Sequence, residues 1–244
     1  MKKALISIAA ADVAFLGLLW LTPYFGGVLY YAAYALAFIL PFGIAIFVNR
    51  RELCPNRYLK LDRRGAYLAL PLVPITILTV ILLSVFTSVV LNYFGMSSNV
   101  ELRGSLPMAL VEYALLPAVF EELLFRYLPL RLMSHLSAKH TVLFSSLIFA
   151  AVHLDPFQLV YAFAAGAIFM TVDILTDSII PSLVIHFINN ALSVLTYFLK
   201  DYPVFVSAYL PTLLVLSALA AINIASRRTE YMQAFKIKLI YDNL

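Results

Sequence analysis

The sequence predicts an all-α fold, a polytopic integral membrane protein with about eight transmembrane helices. Of its 244 residues, 63% are hydrophobic and only 12% are charged, whereas soluble domains carry about 25% charged residues. The mean hydropathy is +0.94, and apolar runs close to the ~20 residues that a transmembrane helix needs recur along the whole chain. No run of residues is left for a soluble domain, so we expect one domain over residues 1–244.

Each apolar run is assigned to one span, in chain order. The first run follows Met1, Lys2 and Lys3 and continues without a persuasive cleavage site, so we interpret it as a span and not as a signal peptide. The fourth run is long and contains Pro117, which leaves a carbonyl of the preceding turn without its donor and predicts a kink. The fifth run is short. The expected spans are 4–22, 25–48, 66–93, 105–134, 138–154, 157–177, 179–199 and 203–226.

The distribution of positive charge supports this count and predicts an orientation. With eight spans, both termini share one side of the membrane with the loops near 49–65, 126–140 and 175–181. Of the 17 lysines and arginines, only Arg103 and Lys200 then lie on the other side. Positive residues mark cytoplasmic loops, so a multi-pass cell-membrane protein with cytoplasmic termini is expected. The net charge of +4 therefore reports topology and not nucleic-acid binding, and the basic segment 50–64 is expected to contact anionic lipid headgroups.

Two adjacent acids, Glu121 and Glu122, lie in the fourth span, and Arg126 follows. A carboxylate in hydrocarbon is costly, so a buried one is a functional-site candidate. Residues i and i+4 share a helix face, whereas i and i+1 point about 100° apart. We therefore expect Glu122 and Arg126 to pair as structural support, leaving Glu121 free to move a proton. The alternative is a solvated, inert pair at the cytoplasmic end of the helix.

Polar side chains also interrupt later spans, at His153 and at the i, i+4 pair His186 and Asn190. An imidazole and an amide on one helix face can both donate to a developing oxyanion, although interhelical hydrogen bonding is the alternative. Asn189 is expected to point away from His186. At 1.5 Å per residue, Glu121 and His153 lie ~20 and ~22 Å from the cytoplasmic edge and His186 ~10 Å, provided that the fourth span runs to residue 134.

Three motifs in this order resemble those of the CPBP family of intramembrane proteases, which includes the type II CAAX prenyl endopeptidases and proteins linked to bacteriocin self-immunity. The motifs are Glu121-Glu122-x-x-x-Arg126, Phe149-x-x-x-His153 and His186-x-x-x-Asn190. The resemblance covers residues 121–190 and implies a single intramembrane protease domain with its motif-bearing core at about 105–199.

The resemblance implies hydrolysis of a peptide bond near the cytoplasmic membrane face. By similarity, Glu121 and His153 activate the attacking water. His186 and Asn190 form the oxyanion hole, and Glu122 and Arg126 support the site. The implied partner is a membrane-associated peptide or protein. Removal of three residues after a prenylated cysteine, the CAAX reaction, is the family's version of this chemistry, although nothing in the sequence shows a prenyl pocket.

No cofactor is required by this water mechanism. Zinc is the alternative, with Glu121, His153 and His186 as its ligands. These residues lie on three separate spans and lack the His-Glu-x-x-His spacing of zinc proteases, which favours the metal-free mechanism. Cys54, the single cysteine, adds no disulfide and no cysteine-based zinc spacing.

Two other functional classes stay open at this stage. One is a non-catalytic immunity or scaffold protein in which the polar set only packs, so that Glu121→Gln leaves function intact. The other is a proton-coupled transporter, which requires a continuous polar route through the remaining intramembrane acids Asp12, Glu112 or Asp173. The sequence contains no visible internal repeat of the kind that many transporters share.

Overall fold

The computed structural model describes residues 2–54, 58–97, 101–102, 104–134 and 136–241. Within these ranges the chain forms helices and no strand, which confirms the all-α prediction. We number the helices in chain order: α1 Lys2–Leu21, α2 Val28–Val48, α3 Arg63–Ala69, α4 Leu72–Tyr93, α5 106–132, α6 Ala138–Ala151, α7 Pro156–Thr176, α8 Ile180–Leu199, α9 Pro203–Ser226 and α10 Arg228–Tyr241.

Six helical stretches in the described ranges are long and apolar enough to cross a membrane: Leu5–Tyr24, Val28–Val48, Arg63–Tyr93, Pro156–Thr176, Ile180–Leu199 and Pro203–Ser226. They correspond to six of the eight expected spans and confirm a polytopic membrane fold. The other two expected spans, the fourth and the fifth, fall on α5 and on α6. The helix α5 is interrupted, and α6 is an apolar helix of only 14 residues. The count of eight therefore stays a prediction.

The interruptions of α5 are two π-helical turns, at Val111–Leu115 and Leu123–Tyr127. Each turn is followed two residues later by a proline, Pro117 or Pro129. A proline has no N–H to donate and crowds the preceding turn, and a π turn is one way for a helix to accommodate this disturbance. The kink predicted from Pro117 thus takes the form of a widened turn, and a second one follows.

The second π turn ties α5 to α6. Pro129 cannot donate to the carbonyl of Phe125, four residues earlier. The buried hydroxyl of Ser145, on α6, donates to that oxygen at 2.6 Å. A side chain from a neighbouring helix thus satisfies the carbonyl that the proline leaves free, as occurs in membrane helices. The contact holds α6 beside the glutamates of α5.

Close packing of small residues holds α6 against α7. A Cβ atom built on Gly166 would lie 3.1 Å from the Cα atom of Ser146, so any larger residue would push the two backbones apart by a few tenths of an ångström. Ala162, one turn earlier in α7, is also buried and packs in the same cluster as Phe149 and Ala150 of α6. Small residues at helix contacts are typical of membrane bundles, where backbone approach and van der Waals packing replace the hydrophobic effect.

The connections of the bundle gather at two ends. The basic end contains the N-terminus, the 49–62 segment, the turns before α6 and α8, and the start of α10. Backbone bonds join these parts: Cys54 N–H donates to the Arg131 carbonyl at 3.2 Å, and Ile179 N–H donates to the Tyr58 carbonyl at 2.9 Å. The Tyr231 hydroxyl donates to the Leu68 carbonyl at 2.9 Å. The opposite end contains the connections around 22–27, 94–105, 152–155 and 200–202.

The positive charges follow this division. Among the described lysine and arginine side chains that are not buried inside the bundle, Lys200 lies at the opposite end. The basic end carries Lys3, Arg50, Arg51, Lys60, Arg63, Arg64, Arg131, Lys139, Arg227 and Arg228. Arg57 and Arg103, which also entered the sequence argument, lie outside the described residues. Arg126 corrects the sequence assignment, because it was placed with the basic loops and is instead fully buried in α5.

We predict that Ser145→Ala destabilises the protein by about 1–2 kcal/mol, because a buried carbonyl loses its donor. Ser146→Ala is the matched control. The Ser146 hydroxyl donates to Val142 within its own helix, where that carbonyl already takes part in the helical pattern. Thermal unfolding of the purified protein in detergent measures both. Equal losses for the two variants would contradict the proposed link between α5 and α6.

Candidate active site

The four residues that the sequence nominates as catalytic line one cavity of about 900 Å³. Glu121 reaches it from α5 between the two π turns, and His153 from the turn that follows α6. His186 and Asn190 reach it from the first half of α8. The tertiary fold therefore brings residues from three separate segments to one place, as the motif order suggested.

Glu122 has a different main partner from the one that the sequence predicts. Its Oε1 atom accepts a hydrogen bond from Nδ1 of His186 at 2.8 Å, and its Oε2 atom lies 3.5 Å from Nε of Arg126. All three side chains are buried, and those of Glu122 and Arg126 are fully so. The expected pair with Arg126 is present as a charge contact, while the short hydrogen bond joins α5 to α8.

Arg126 is stabilised by aromatic faces more than by hydrogen bonds. Its guanidinium carbon lies 4.2 Å from the ring centre of Phe149 and 5.4 Å from that of Phe169. None of its three side-chain nitrogens reaches a hydrogen-bond partner among the described residues. Desolvated cation–π contacts are worth about 2 kcal/mol each, so the two rings and the Glu122 carboxylate together offset the burial of this charge.

The two phenylalanine rings also contact His186. Phe149 meets the imidazole edge-on at 5.9 Å, and Phe169 lies at 5.4 Å. The same rings therefore position the guanidinium and the imidazole on either side of Glu122. Phe149, the first residue of the second motif, thus has a clear physical role as a spacer between two buried polar groups.

Glu121 faces the cavity, whereas Glu122 is buried. The sequence predicts this difference, because adjacent residues of a helix point about 100° apart. Its Oε2 atom lies 3.9 Å from Nε2 of His186, and its side chain is 17% exposed. His186 therefore has one carboxylate at each ring nitrogen. The Nδ1 side is a tight, buried contact with Glu122, and the Nε2 side is a looser approach to Glu121 at the cavity.

His153 presents one ring nitrogen to the cavity. Its Nδ1 atom lies 2.6 Å from the carbonyl oxygen of Phe149. A carbonyl oxygen can only accept, so this contact assigns the proton to Nδ1 and leaves Nε2 as the nitrogen that exchanges a proton at the cavity. The ring also meets Phe149 edge-on at 4.9 Å, which fixes its orientation.

The amide pair on α8 corrects the prediction for Asn189. This residue does not lie apart from the site: it lines the cavity beside Asn190, and its Nδ2 donates to Oδ1 of Asn190 at 3.2 Å. That bond occupies the acceptor of Asn190, so the Nδ2 group of Asn190 is the donor that faces the cavity. The helical-wheel argument missed Asn189 because the cavity is wider than one helix face.

The other intramembrane acids lie in different surroundings. Glu112 lines the cavity, and Oε2 of Glu112 accepts a bond from the Tyr31 hydroxyl at 3.3 Å. Asp173 is fully buried behind the site, where it interacts electrostatically with Glu122 and Arg126 beside Ser182. Asp12 is buried in α1 and is not among the cavity-lining residues. Asp173 was missed as a part of the site because its partners come from other helices.

The residues proposed as alternative zinc ligands do not form a metal-binding cluster in their described positions. No group of three or more His, Cys, Asp or Glu side chains in the described ranges has the geometry to hold a metal ion. Nδ1 of His153 and Nδ1 of His186 each contact an oxygen atom, so their Nε2 atoms are the ring nitrogens left for the cavity. The metal-free mechanism therefore stays a proposal, and no step is assigned to a zinc ion.

The cavity reaches one end of the bundle. Its outer lining includes Leu102, Asp155 and Lys200, all at the opposite end, and no described residue of the basic-end connections lines it. The sequence predicts cytoplasmic termini and a site near the cytoplasmic face. The cavity opens at the end opposite the start of α1 and the start of α10, so these two predictions point to different ends of the bundle.

Comparison with known proteins agrees with the motif order. Residues 103–192 match the family model described as Type II CAAX prenyl endopeptidase Rce1-like. No curated protein and no solved structure gives a match. The matched segment contains all of α5 from its first residue, together with α6, α7 and the part of α8 that carries His186 and Asn190.

We predict that Arg126→Met lowers the free energy of unfolding by about 3–5 kcal/mol, because it removes one partner of the buried charge contact between Glu122 and Arg126. The double variant Glu122→Gln, Arg126→Met removes both charges and should recover much of that loss. Denaturant or thermal unfolding in detergent measures each protein. A double variant that is no more stable than Arg126→Met alone would contradict a charge pair at this position.

Proposed function

We propose that the protein is an intramembrane endopeptidase, on the premise that residues 103–192 match the family model described as Type II CAAX prenyl endopeptidase Rce1-like. The observation that carries the proposal is the convergence of Glu121, His153, His186 and Asn190 on one cavity, with Glu121 3.9 Å from the His186 ring. The family match supplies the reaction class, and the geometry supplies the residues.

In the proposed reaction, a water molecule in the cavity gives a proton to the Glu121 carboxylate, and its oxygen attacks the carbonyl carbon of the peptide bond. Glu121 suits this role because its side chain reaches the cavity while that of Glu122 is committed to His186 and Arg126. A positioned general base contributes about 10²–10⁴-fold to such a step.

The negative charge on the tetrahedral intermediate is then stabilised by Asn190 and His186. Asn190 offers its Nδ2 group, because its Oδ1 is held by Asn189. In its imidazolium form, whose charge the Glu122 carboxylate balances, His186 offers Nε2–H. Donors that are fixed before the reaction are effective because no reorganisation is needed when the charge develops.

His153 starts the cycle with a proton on each ring nitrogen, and the intermediate collapses when its Nε2–H gives its proton to the leaving nitrogen. The carbon–nitrogen bond breaks, and a carboxyl group and an amine are released. Proton transfer from Glu121 to His153 through water restores the starting state. The Phe149 carbonyl keeps the His153 ring in the orientation that this exchange requires. The family description names C-terminal CAAX processing of prenylated proteins as one form of this reaction, which the farnesylated probe below tests.

The test is cleavage of a fluorogenic peptide by the purified protein in detergent, with a farnesylated C-terminal CAAX peptide and its unlipidated counterpart as probes. We predict that Glu121→Gln reduces the cleavage rate by about 10²–10⁴-fold without changing the unfolding temperature. Glu112→Gln, which alters the same residue type elsewhere on the cavity wall, should keep most of the activity.

Each other outcome has a meaning. Unchanged activity in Glu121→Gln would refute the assignment of the base, and loss in Glu112→Gln alone would assign that role to Glu112. Activity that disappears with a strong zinc chelator and returns with zinc would refute the metal-free mechanism. No cleavage of any peptide by a folded protein would favour the non-catalytic alternative.

The oxyanion assignment makes a separate prediction for the two asparagines. Asn190→Ala should reduce the turnover number by about 10²–10³-fold, with little change in KM, because it removes a donor that acts on the transition state. Asn189→Ala should reduce it less, since the Asn190 donor stays in place and loses only its orienting partner. Steady-state kinetics with the same peptide measure both, and a larger effect for Asn189→Ala would reverse the two roles.

A further inference from the structure

The closed inner end of the cavity, its floor, faces the basic end of the bundle. Its opening, the mouth, lies at the opposite end. Phe149, Phe169 and His186 form its floor. Beneath them, toward the basic end, is a fully buried layer that includes Glu122, Arg126, Leu124, Leu128 and Met170. This layer separates the catalytic residues from the basic end, and the outer lining residues Asp155 and Lys200 mark the way out at the opposite end.

The charge on the two ends assigns them to the two sides of the membrane. Lysine and arginine in short connections favour the cytoplasmic side. The described basic end carries ten such residues that are not buried in the bundle, among them Arg50, Arg64 and Arg228, whereas the described opposite end carries Lys200. All the connections involved are short, which is the condition under which this rule holds. The basic end is therefore cytoplasmic, and the mouth faces the other way.

We propose that the substrate enters from the extracytoplasmic side of the membrane. This inference rests on the proposed peptidase function and changes the substrate class within it. The substrate is then a peptide bond exposed at the outer surface, and a prenylated C-terminus that is presented from the cytoplasm does not reach the site.

The cavity wall indicates which part of a substrate the site accepts. Toward α2 and α4 the wall is mainly apolar and aromatic, with Tyr34, Val80 and Val85, together with two serines of α4. Val85 both lines the cavity and is 57% exposed on the membrane-facing surface of α4, so the cavity is also next to lipid. Toward the mouth the wall is polar, with Asp155, Gln158 and Lys200. A substrate segment that is apolar within the membrane and emerges at its outer surface matches both walls. Its embedded part meets the apolar wall, and its emerging part meets the polar one.

The depth of the site agrees with this class of substrate. Glu121 and His186 lie within helices, inside the apolar part of the bundle, while His153 directly precedes the exposed Leu154 at the opposite end. A bond cleaved here is near the outer end of a membrane-embedded segment. We therefore expect substrates such as the outer end of a transmembrane helix or of an anchored signal segment.

Thiol labelling tests the side of the mouth. In a Cys54→Ser background, single cysteines are placed in the cavity wall with Ser193→Cys, beside the mouth with Asp201→Cys, and at the basic end with Lys60→Cys. A membrane-impermeant maleimide is applied to intact cells. We expect the first two to react before permeabilisation and Lys60→Cys only afterwards. Reaction of Lys60→Cys alone in intact cells would overturn the proposal.

Cleavage in sealed proteoliposomes tests the route of the substrate. A soluble peptide with an apolar core is added outside, and the rate is compared before and after detergent opens the vesicles. Before the vesicles are opened, the cleavage rate should be proportional to the fraction of protein molecules whose Asp201→Cys thiol faces outward. A rate that follows outward-facing Lys60→Cys would refute entry at the mouth. If detergent-opened protein cleaves nothing, the proposed function fails, whereas the labelling result still decides the orientation.

Discussion

The structure depends on a buried cluster of charges formed by Glu122, Arg126 and His186. Removing such groups from water is costly, and the cost is offset only when every charge has a partner in good geometry. Here the partners come from different helices: Glu122 reaches His186 on α8, and Arg126 lies between the rings of Phe149 and Phe169. Because no single helix can satisfy the cluster, it fixes α5 relative to α6, α7 and α8. The cavity beside Glu121 is a consequence of that fixed arrangement.

The same cluster divides the two adjacent glutamates by environment. Glu122 lies on the closed side of α5 and holds His186 in place, while Glu121 lies on the cavity side. The widened turns of α5 and the backbone contact at Gly166 provide the space and the close approach that this division needs. The two adjacent glutamates therefore differ in environment: Glu122 is buried in the charge cluster, and Glu121 lies at the cavity.

Reasoning within one helix predicted part of the site, and contacts between helices decided the rest. The i, i+4 relation of His186 and Asn190 and the separation of Glu121 from Glu122 follow from helix geometry alone, so both were predictable. The bond between Glu122 and His186 and the place of Asp173 behind the site were not. They depend on how each helix is rotated about its axis, which packing determines. Asn189 was missed for the related reason that a wide cavity collects more than one face of α8.

The sequence alone determined that the protein is an all-α membrane protein, that one family's motifs occur in order on consecutive segments, and that positive charge gathers at one side of the bundle. Composition and short-range periodicity are local properties, and these conclusions need nothing more. Only the tertiary structure decided toward which end the cavity opens. That property depends on where the helices diverge and where a buried layer closes the space between them, and side chains distant in sequence set both.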